Sequence, residues 1–281
     1  MIFDRNTNKP VIALLGAGSM GTAIVRRIAS GKKILLGDIS EANLERVSHE
    51  LTYSGYDVET AVVNALEKDS IEAFAKKAAS LGPVMYFIDT AGASPSQAKP
   101  EHILKLDMVG TGYAVDAFGE VMAEGGAGLI ISNQTGYMLP IPNEVELEIL
   151  RTPTEKLMEV PFIVQHATRS GTAYMIAKRV NHLQAQKAAA TTWKARRARI
   201  NTLSPGIIVT PLAYDEFAAA GEGYQRMIDA SAAERSGTSD EIAEAGAFLL
   251  GEHAGFITGT DLLIDGGTIA AIRTGQYKLS R

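Results

Sequence analysis

From residue 11 to about residue 265, short apolar runs of strand length alternate with longer stretches of helical periodicity. That alternation is the strongest constraint on the fold, because parallel strands can be joined only through crossover connections, and helices are the usual ones. The candidate strands are 11–15, 33–37, 58–63, 84–88, 128–132, 199–203 and 262–264, several of them apolar at nearly every position. Strands covered on both faces read this way. Helical patterns lie near 21–30, 40–54, 69–81, 101–124, 171–193, 214–234 and 239–251. Right-handed crossovers would distribute those helices over both faces. The expectation is an α/β fold, a doubly wound sheet of seven mostly parallel strands. With 281 residues and no repeat or linker, residues 1–281 read as a single domain.

One segment breaks the rhythm. Residues 137–170 are too long for a plain strand-to-helix connection, and they mix apolar residues with four prolines. Ordered loops of this length usually carry function, so the segment is expected to form a lid or pocket wall, with a subunit contact or a merely decorative insertion as the alternative.

The first strand runs into Gly16-Ala17-Gly18-Ser19-Met20-Gly21 and then into a helix. In that context the glycines read as a dinucleotide fingerprint of the Rossmann type. Gly16 makes the turn, Gly18 lets a pyrophosphate approach, and Gly21 packs helix on strand, with the helix N-terminus facing the negative charge. The second strand ends in Gly37-Asp38, a carboxylate 22 residues after Gly16, where a ribose-contacting acid is expected at about 20. Such a carboxylate accepts from a free 2′-hydroxyl and repels a 2′-phosphate, so NAD is expected in preference to NADP.

Among nine tyrosines, Tyr174 has a lysine four positions on, Lys178, in a strongly helical stretch. The spacing puts both side chains on one helix face. A phenol is a poor base at neutral pH, but a neighbouring ammonium and an oxidised nicotinamide both favour its phenolate. Tyr174 could then shuttle a proton.

With these residues in hand, the sequence resembles the short-chain dehydrogenase/reductase superfamily over nearly its whole length. Asp89-Thr90-Ala91-Gly92 looks like that family's Asn-Asn-Ala-Gly motif. Asn201 to Gly206 resembles its Pro-Gly turn, the following Ile207-Ile208-Val209-Thr210-Pro211 the segment that meets the nicotinamide carboxamide in relatives, and Phe256 to Gly267 its last strand. The resemblance implies that Tyr174 passes the proton, that Lys178 holds the nicotinamide ribose and lowers the tyrosine's pKa, and that a serine near the end of the fifth strand orients the substrate oxygen. It also implies that Gly16, Gly18, Ser19, Met20, Gly21, Asp38, Asn64, Ala65, Ala91, Gly92, Lys178, Pro205, Ile208 and Thr210 contact the cofactor.

The sequence departs from the family at four places. The glycine loop is one residue shorter than usual. In Ser132-Asn133-Gln134-Thr135-Gly136, Asn133 stands where relatives often carry the serine; Ser132, Asn133 and Thr135 are the candidates, in that order. Asp107 replaces an asparagine that supports a water relay to the lysine, and Asn64 replaces an aspartate that contacts adenine.

The five histidines show no metal-ligand spacing, and no metal is expected. His166, in the long segment, is the one that could touch substrate. Met138, in the same segment, could line a pocket. The basic run from Trp193 to Arg199 reads as a solvated helix end, and the net charge of −5 argues against nucleic acid. No apolar stretch reaches the ~18 residues of a membrane span, and the first ten residues lack a signal-peptide core, so a cytoplasmic location is expected. The reading is an NAD-dependent enzyme interconverting a secondary alcohol and a ketone on a small, apolar or cyclic molecule, assembled as a homodimer or homotetramer through the helices containing 101–124 and 171–193. The alternatives are a non-catalytic dinucleotide sensor or scaffold, and an epimerase or dehydratase holding NAD tightly.

Overall fold

The computed structural model describes residues 8–96 and 98–278, less the side chains of 212, 215, 216 and 218–220. Its strands are β1 (Val11–Leu15), β2 (Lys33–Asp38), β3 (Asp57–Val62), β4 (Val84–Asp89), β5 (Met122–Ile131), β6 (Arg199–Pro205), β7 (Ile208–Val209), β8 (Gly237–Thr238) and β9 (Asp261–Ile264). Seven of them form one sheet in the order β3-β2-β1-β4-β5-β6-β9, with every pairing parallel. The doubly wound sheet expected from the sequence is present. β7 and β8 add a two-residue pair beside it that the sequence reading did not include.

Helices cover both faces because strand side chains alternate. On β1, Val11, Ala13 and Leu15 face a core closed by α3 (Lys68–Leu81), α5 (Thr111–Val121) and α8 (Ser170–Ala190). Ile12 and Leu14 face the opposite core, closed by α1 (Ser19–Ile28), α2 (Glu41–Tyr53) and α11 (Ser239–Leu250). The order reverses between β1 and β4, and a crevice opens at the carboxyl ends of strands at such a switch point.

The stretch expected as one helix over 101–124 is three elements. α4 (Pro100–Ile103) passes into a π-helical turn, Leu104–Gly110, before α5 resumes. The helical reading also ran three residues into the strand that follows: β5 starts at Met122, paired with Val84, and rejoins the ladder at Ala127 after an excursion through Gly125 at φ +78°. The π turn widens the helix by one residue and brings Asp107 to 0% exposure.

Residues 137–170 contain α6 (Asn143–Arg151), a 3₁₀ turn (Thr154–Glu159) and α7 (Pro161–His166). Ile149, Leu157, Val160 and Ile163 build a third core against Ile103, Leu104 and Met108 and against Ile176, Val180 and Leu183 of α8. The segment is ordered by its own apolar face. The remaining helices are α9 (Thr192–Ala195), α10 (Pro211–Ala230) and α12 (Thr268–Arg273).

Candidate active site

Two adjoining cavities occupy the crevice, of about 460 and 370 Å³, and Met20, Thr90, Gly92 and Thr210 border both. The larger is lined by Gly16, Ala17, Gly18, Ser19, Asp38, Ile39, Asn64, Ala65 and Ala91. Gly16 has φ +85°, a region open mainly to glycine, and a β-carbon on it would overlap the backbone at Thr90 and Ala91. A β-carbon on Gly21 would overlap Leu14, so α1 packs directly on β1. Gly18 caps α1 without a side-chain hydrogen bond, and no acid stands in the first turn. The N–H groups of that turn therefore face the cavity with a positive dipole end and no built-in anion. The cradle fits a pyrophosphate.

Asp38 is half-buried at the cavity wall. Its carboxylate accepts from the Ala17 and Ser40 N–H groups, both at 2.9 Å, and from Asn43 Nδ2 at 3.0 Å. Those bonds fix the acid's orientation, and the half-buried group faces the space a ribose would occupy. Asn64 accepts from the Leu66 N–H at 3.1 Å and donates to Glu67 at 2.9 Å, so its amide shapes the cavity turn. Exposed Ile39 and Leu66 offer apolar walls at the outer end.

The second cavity holds the reactive groups. Tyr174 and Lys178 lie one turn apart on α8, with the Lys178 Nζ 5.2 Å from the tyrosine ring centre. Lys178 is 4% exposed and bonded to Asp107 Oδ1 at 3.2 Å. Burial pulls the ammonium's pKa down, but Asp107, Tyr174 and Asp89 outweigh it and hold the pKa above the ordinary lysine value. Burial pushes Asp107 up against the pull of Lys178 and the Ala93 N–H. Of the three candidates after β5, Ser132 donates to the Lys178 carbonyl at 2.8 Å. Asn133 Oδ1 accepts from the Thr135 N–H at 3.0 Å. Thr135 Oγ1 is buried and has no hydrogen-bond partner. All three border the cavity.

Pro205, Ile208 and Thr210 lie along the far wall, and Thr210 Oγ1 caps α10 at the Ala213 N–H, 3.2 Å away. Beyond them the wall is Met138, Met175, Ala213, Phe217, Tyr224, Met227 and Tyr277. The 137–170 segment, expected as a lid or pocket wall, reaches the cavity at one residue. Within that segment only Met138 lines the cavity; most of the other apolar side chains pack on α8 and the π turn, while Leu147 and Val164 are exposed. His166 stacks on Phe162 and bonds its carbonyl at 2.8 Å, and it does not border the cavity.

Sequence reasoning missed α10 and Tyr277 as pocket walls, and Arg46 and His102 as cofactor-cavity residues. Phe217 and Tyr224, seven residues apart on α10, gave a usable signal, since that spacing puts two aromatics on one helix face. Nothing local marked Tyr277, which arrives from the end of the chain.

Fold and site together define a dinucleotide-dependent oxidoreductase. The chain belongs to the short-chain dehydrogenase/reductase family. It is 38% identical over 266 residues to the short-chain dehydrogenase/reductase bsc3 of Alternaria brassicicola, covering 94% of this chain and 97% of that protein. It is 27% identical over 265 residues to a galactitol 2-dehydrogenase (L-tagatose-forming) of Cereibacter sphaeroides, covering 91% and 93%. The family model described as enoyl-(acyl carrier protein) reductase matches residues 147–268. Among solved structures, a short-chain dehydrogenase/reductase from Serratia marcescens superposes with a TM-score of 0.74 at 22% identity, over 94% of this chain and 99% of that one. The protein is accordingly an NAD(P)-dependent enzyme of alcohol and ketone oxidoreduction.

Proposed function

We propose that the protein interconverts a secondary alcohol and a ketone on an apolar, ring-bearing small molecule, with NAD preferred and Tyr174 passing the proton. The observation that carries this reading is the second cavity: Tyr174, Lys178 and Asn133 lie together, Ser94, Gln134, Thr135 and Thr210 also border it, and Met138, Met175, Ile207, Ile208, Phe217 and Met227 form an apolar stretch of its wall. Each hydroxyl that a polyol buried against the apolar stretch without a partner would cost ~1–3 kcal/mol. The proposed substrate class differs from the one in the name of the galactitol relative.

Bound NAD supplies the hydride acceptor, and its reduced form the donor. The chain does the rest. Tyr174 takes the alcohol proton or returns it, and Lys178 makes that possible by placing a buried ammonium beside the ring. Asn133 is the better placed partner for the substrate oxygen. The Ser132 proton is committed to the Lys178 carbonyl, whereas the Asn133 Oδ1 is held by Thr135 and its Nδ2 is left to donate. This reverses the order in which the sequence ranked the two. Asp107 grips Lys178 directly, which suits a fixed ammonium.

The choice of NAD rests on Asp38, and the cofactor contacts proposed for Gly16, Gly18, Ser19, Met20, Asn64, Ala65, Ala91, Gly92, Pro205, Ile208 and Thr210 follow the two cavities, whereas Gly21 lines neither and serves the packing of α1 on β1. We further infer one domain over residues 1–281, a cytoplasmic location and a homo-oligomer. The test is absorbance of the reduced nicotinamide during incubation with a broad panel of alcohols and ketones. Turnover should favour apolar cyclic substrates, and Tyr174→Phe should lower kcat by ~10²–10⁴. Turnover confined to sugars and polyols, or unaffected by the substitution, would overturn the reading.

A further inference from the structure

At the inner wall of the reaction cavity the chain buries three ionisable groups on three elements, of which Asp107 and Lys178 border the cavity and Asp89 lies behind them. Asp89 ends β4 at 2% exposure, Asp107 sits in the π turn at 0%, and Lys178 on α8 at 4%. The bend after β4 wraps over them, with the Ala91 N–H donating to Asp89 at 3.1 Å and the Ala93 N–H to Asp107 at the same distance. Gly92 lies so close to Asp107 Oδ1 that a β-carbon there would overlap it. Both acids stand where the family pattern has amides. One ammonium faces two carboxylates, and it is bonded to Asp107. Asp89 is faced by Lys178, the Thr111 hydroxyl, the Ala91 N–H and Asp107; Asp107 is also faced by exposed His102, and Lys178 by Tyr174.

A buried charge needs a partner, and here one acid is in surplus. We propose that Asp89 sets the charge of this cluster and, acting through Lys178, sets how tightly Tyr174 holds the proton it exchanges with substrate. With Asp89 neutral, Lys178 and Asp107 balance, and the phenolate meets no net negative charge. With Asp89 ionised the cluster carries one negative charge, and the phenolate is disfavoured. Asp89 is thus a positioning residue that does not border the cavity, and its role rests on the proposed function of Tyr174. Burial pushes the Asp89 carboxyl up to about 7, so the change falls in the neutral range.

Asp89→Asn tests this, since the amide keeps the acceptor for Ala91 and removes the charge. The first readout is melting temperature against pH in the cofactor-free protein. A folded-state pKa raised from ~3.9 to about 7 means that the native state holds the extra proton between those values. The stability that proton provides is lost as pH rises to about 7. The difference, variant minus wild type, should therefore grow with pH, and taking the difference cancels the other groups. The second readout is phenolate absorbance, each protein minus its Tyr174→Phe version. The Tyr174 midpoint should fall by about one unit in Asp89→Asn. Parallel melting profiles or an unmoved midpoint would overturn the proposal. Should the variant fail to fold, infrared titration of wild type decides. A buried protonated carboxyl that disappears on going from about pH 6 to 8 supports the proposal, and its absence overturns it. If the melting and phenolate results both hold and no alcohol or ketone reacts, the proposed reaction fails and the charge coupling stands.

Discussion

Ser132 and Asn133 are neighbours at the end of β5, and the fate of one proton separates them. A hydroxyl that gives its hydrogen to the Lys178 carbonyl can only accept from a substrate, whereas a developing alkoxide needs a donor. Asn133→Ala should therefore lower kcat by ~10²-fold, the lower end of the effect of losing an oxyanion donor. Ser132→Ala should cost ~1 kcal/mol of stability and little in kcat. Steady-state kinetics and urea unfolding on the two variants check this, and the reverse pattern would return the role to Ser132. At the cofactor end, Asp38 predicts NADH binding at least tenfold tighter than NADPH, ~1.4 kcal/mol, in a fluorescence titration. Asp38→Asn should narrow the ratio, because Arg46 also borders the cavity; its guanidinium bonds Asn43 at 2.6 Å. Asp38 was legible from its distance to the glycine loop. Arg46 was not, because it reaches the same cavity from one helical turn into α2.

At the scale of elements, the buried strands were readable from apolar composition alone, since both faces of the sheet are covered. The π turn was not, because it keeps a helical pattern and changes only the register of hydrogen bonds. The 137–170 segment was readable as ordered but not as to where its apolar face would go. The 193–199 run shows the same limit. Trp193 is fully buried with Nε1 on the Val115 carbonyl, and Arg199 bonds the carbonyls of Leu249, Leu250, Gly251 and Ile257 around the end of α11. Those residues are structural, although Lys194, Arg196 and Arg197 are solvated as expected. Tyr137 is the tie that sequence could not show. It closes the 3₁₀ turn that follows Asn133, donates to Asp261 of β9 at 2.6 Å, and packs between His182 and Arg273. Tyr137→Phe keeps the ring contacts and breaks the bond to a carboxylate. The expected loss is ~1.5–3 kcal/mol in urea unfolding. Because Met138 and Asn133 flank the freed turn, KM should rise alongside it. Unchanged stability would show that the bond adds nothing net.

For the whole molecule, the two edges of the sheet differ in a way that bears on assembly. The β3 edge carries Asp57 and Glu59, which pair with Lys9 and Lys33, and charged edges resist strand addition. The β9 edge reads Asp261-Leu262-Leu263-Ile264, and the stretch leading to it places Phe256 fully in solvent, with Phe248 of α11 46% exposed. The face of α5 and α8 on which the sequence reading placed subunit contact is partly taken by the chain itself. Thr154 bonds Asp116 at 2.8 Å, and Lys187 bonds the Thr152 carbonyl at 3.2 Å. A second copy is therefore better received along β9 and Phe256, where covering a phenylalanine contributes ~1.5–3 kcal/mol per subunit. Light scattering should give two or four times the 29.9 kDa of one chain. Phe256→Asp should lower that mass and leave the melting profile of the separated subunit intact. A single-chain mass for the wild type would remove the assembly, and an unchanged mass for the variant would move the contact back toward α5 and α8.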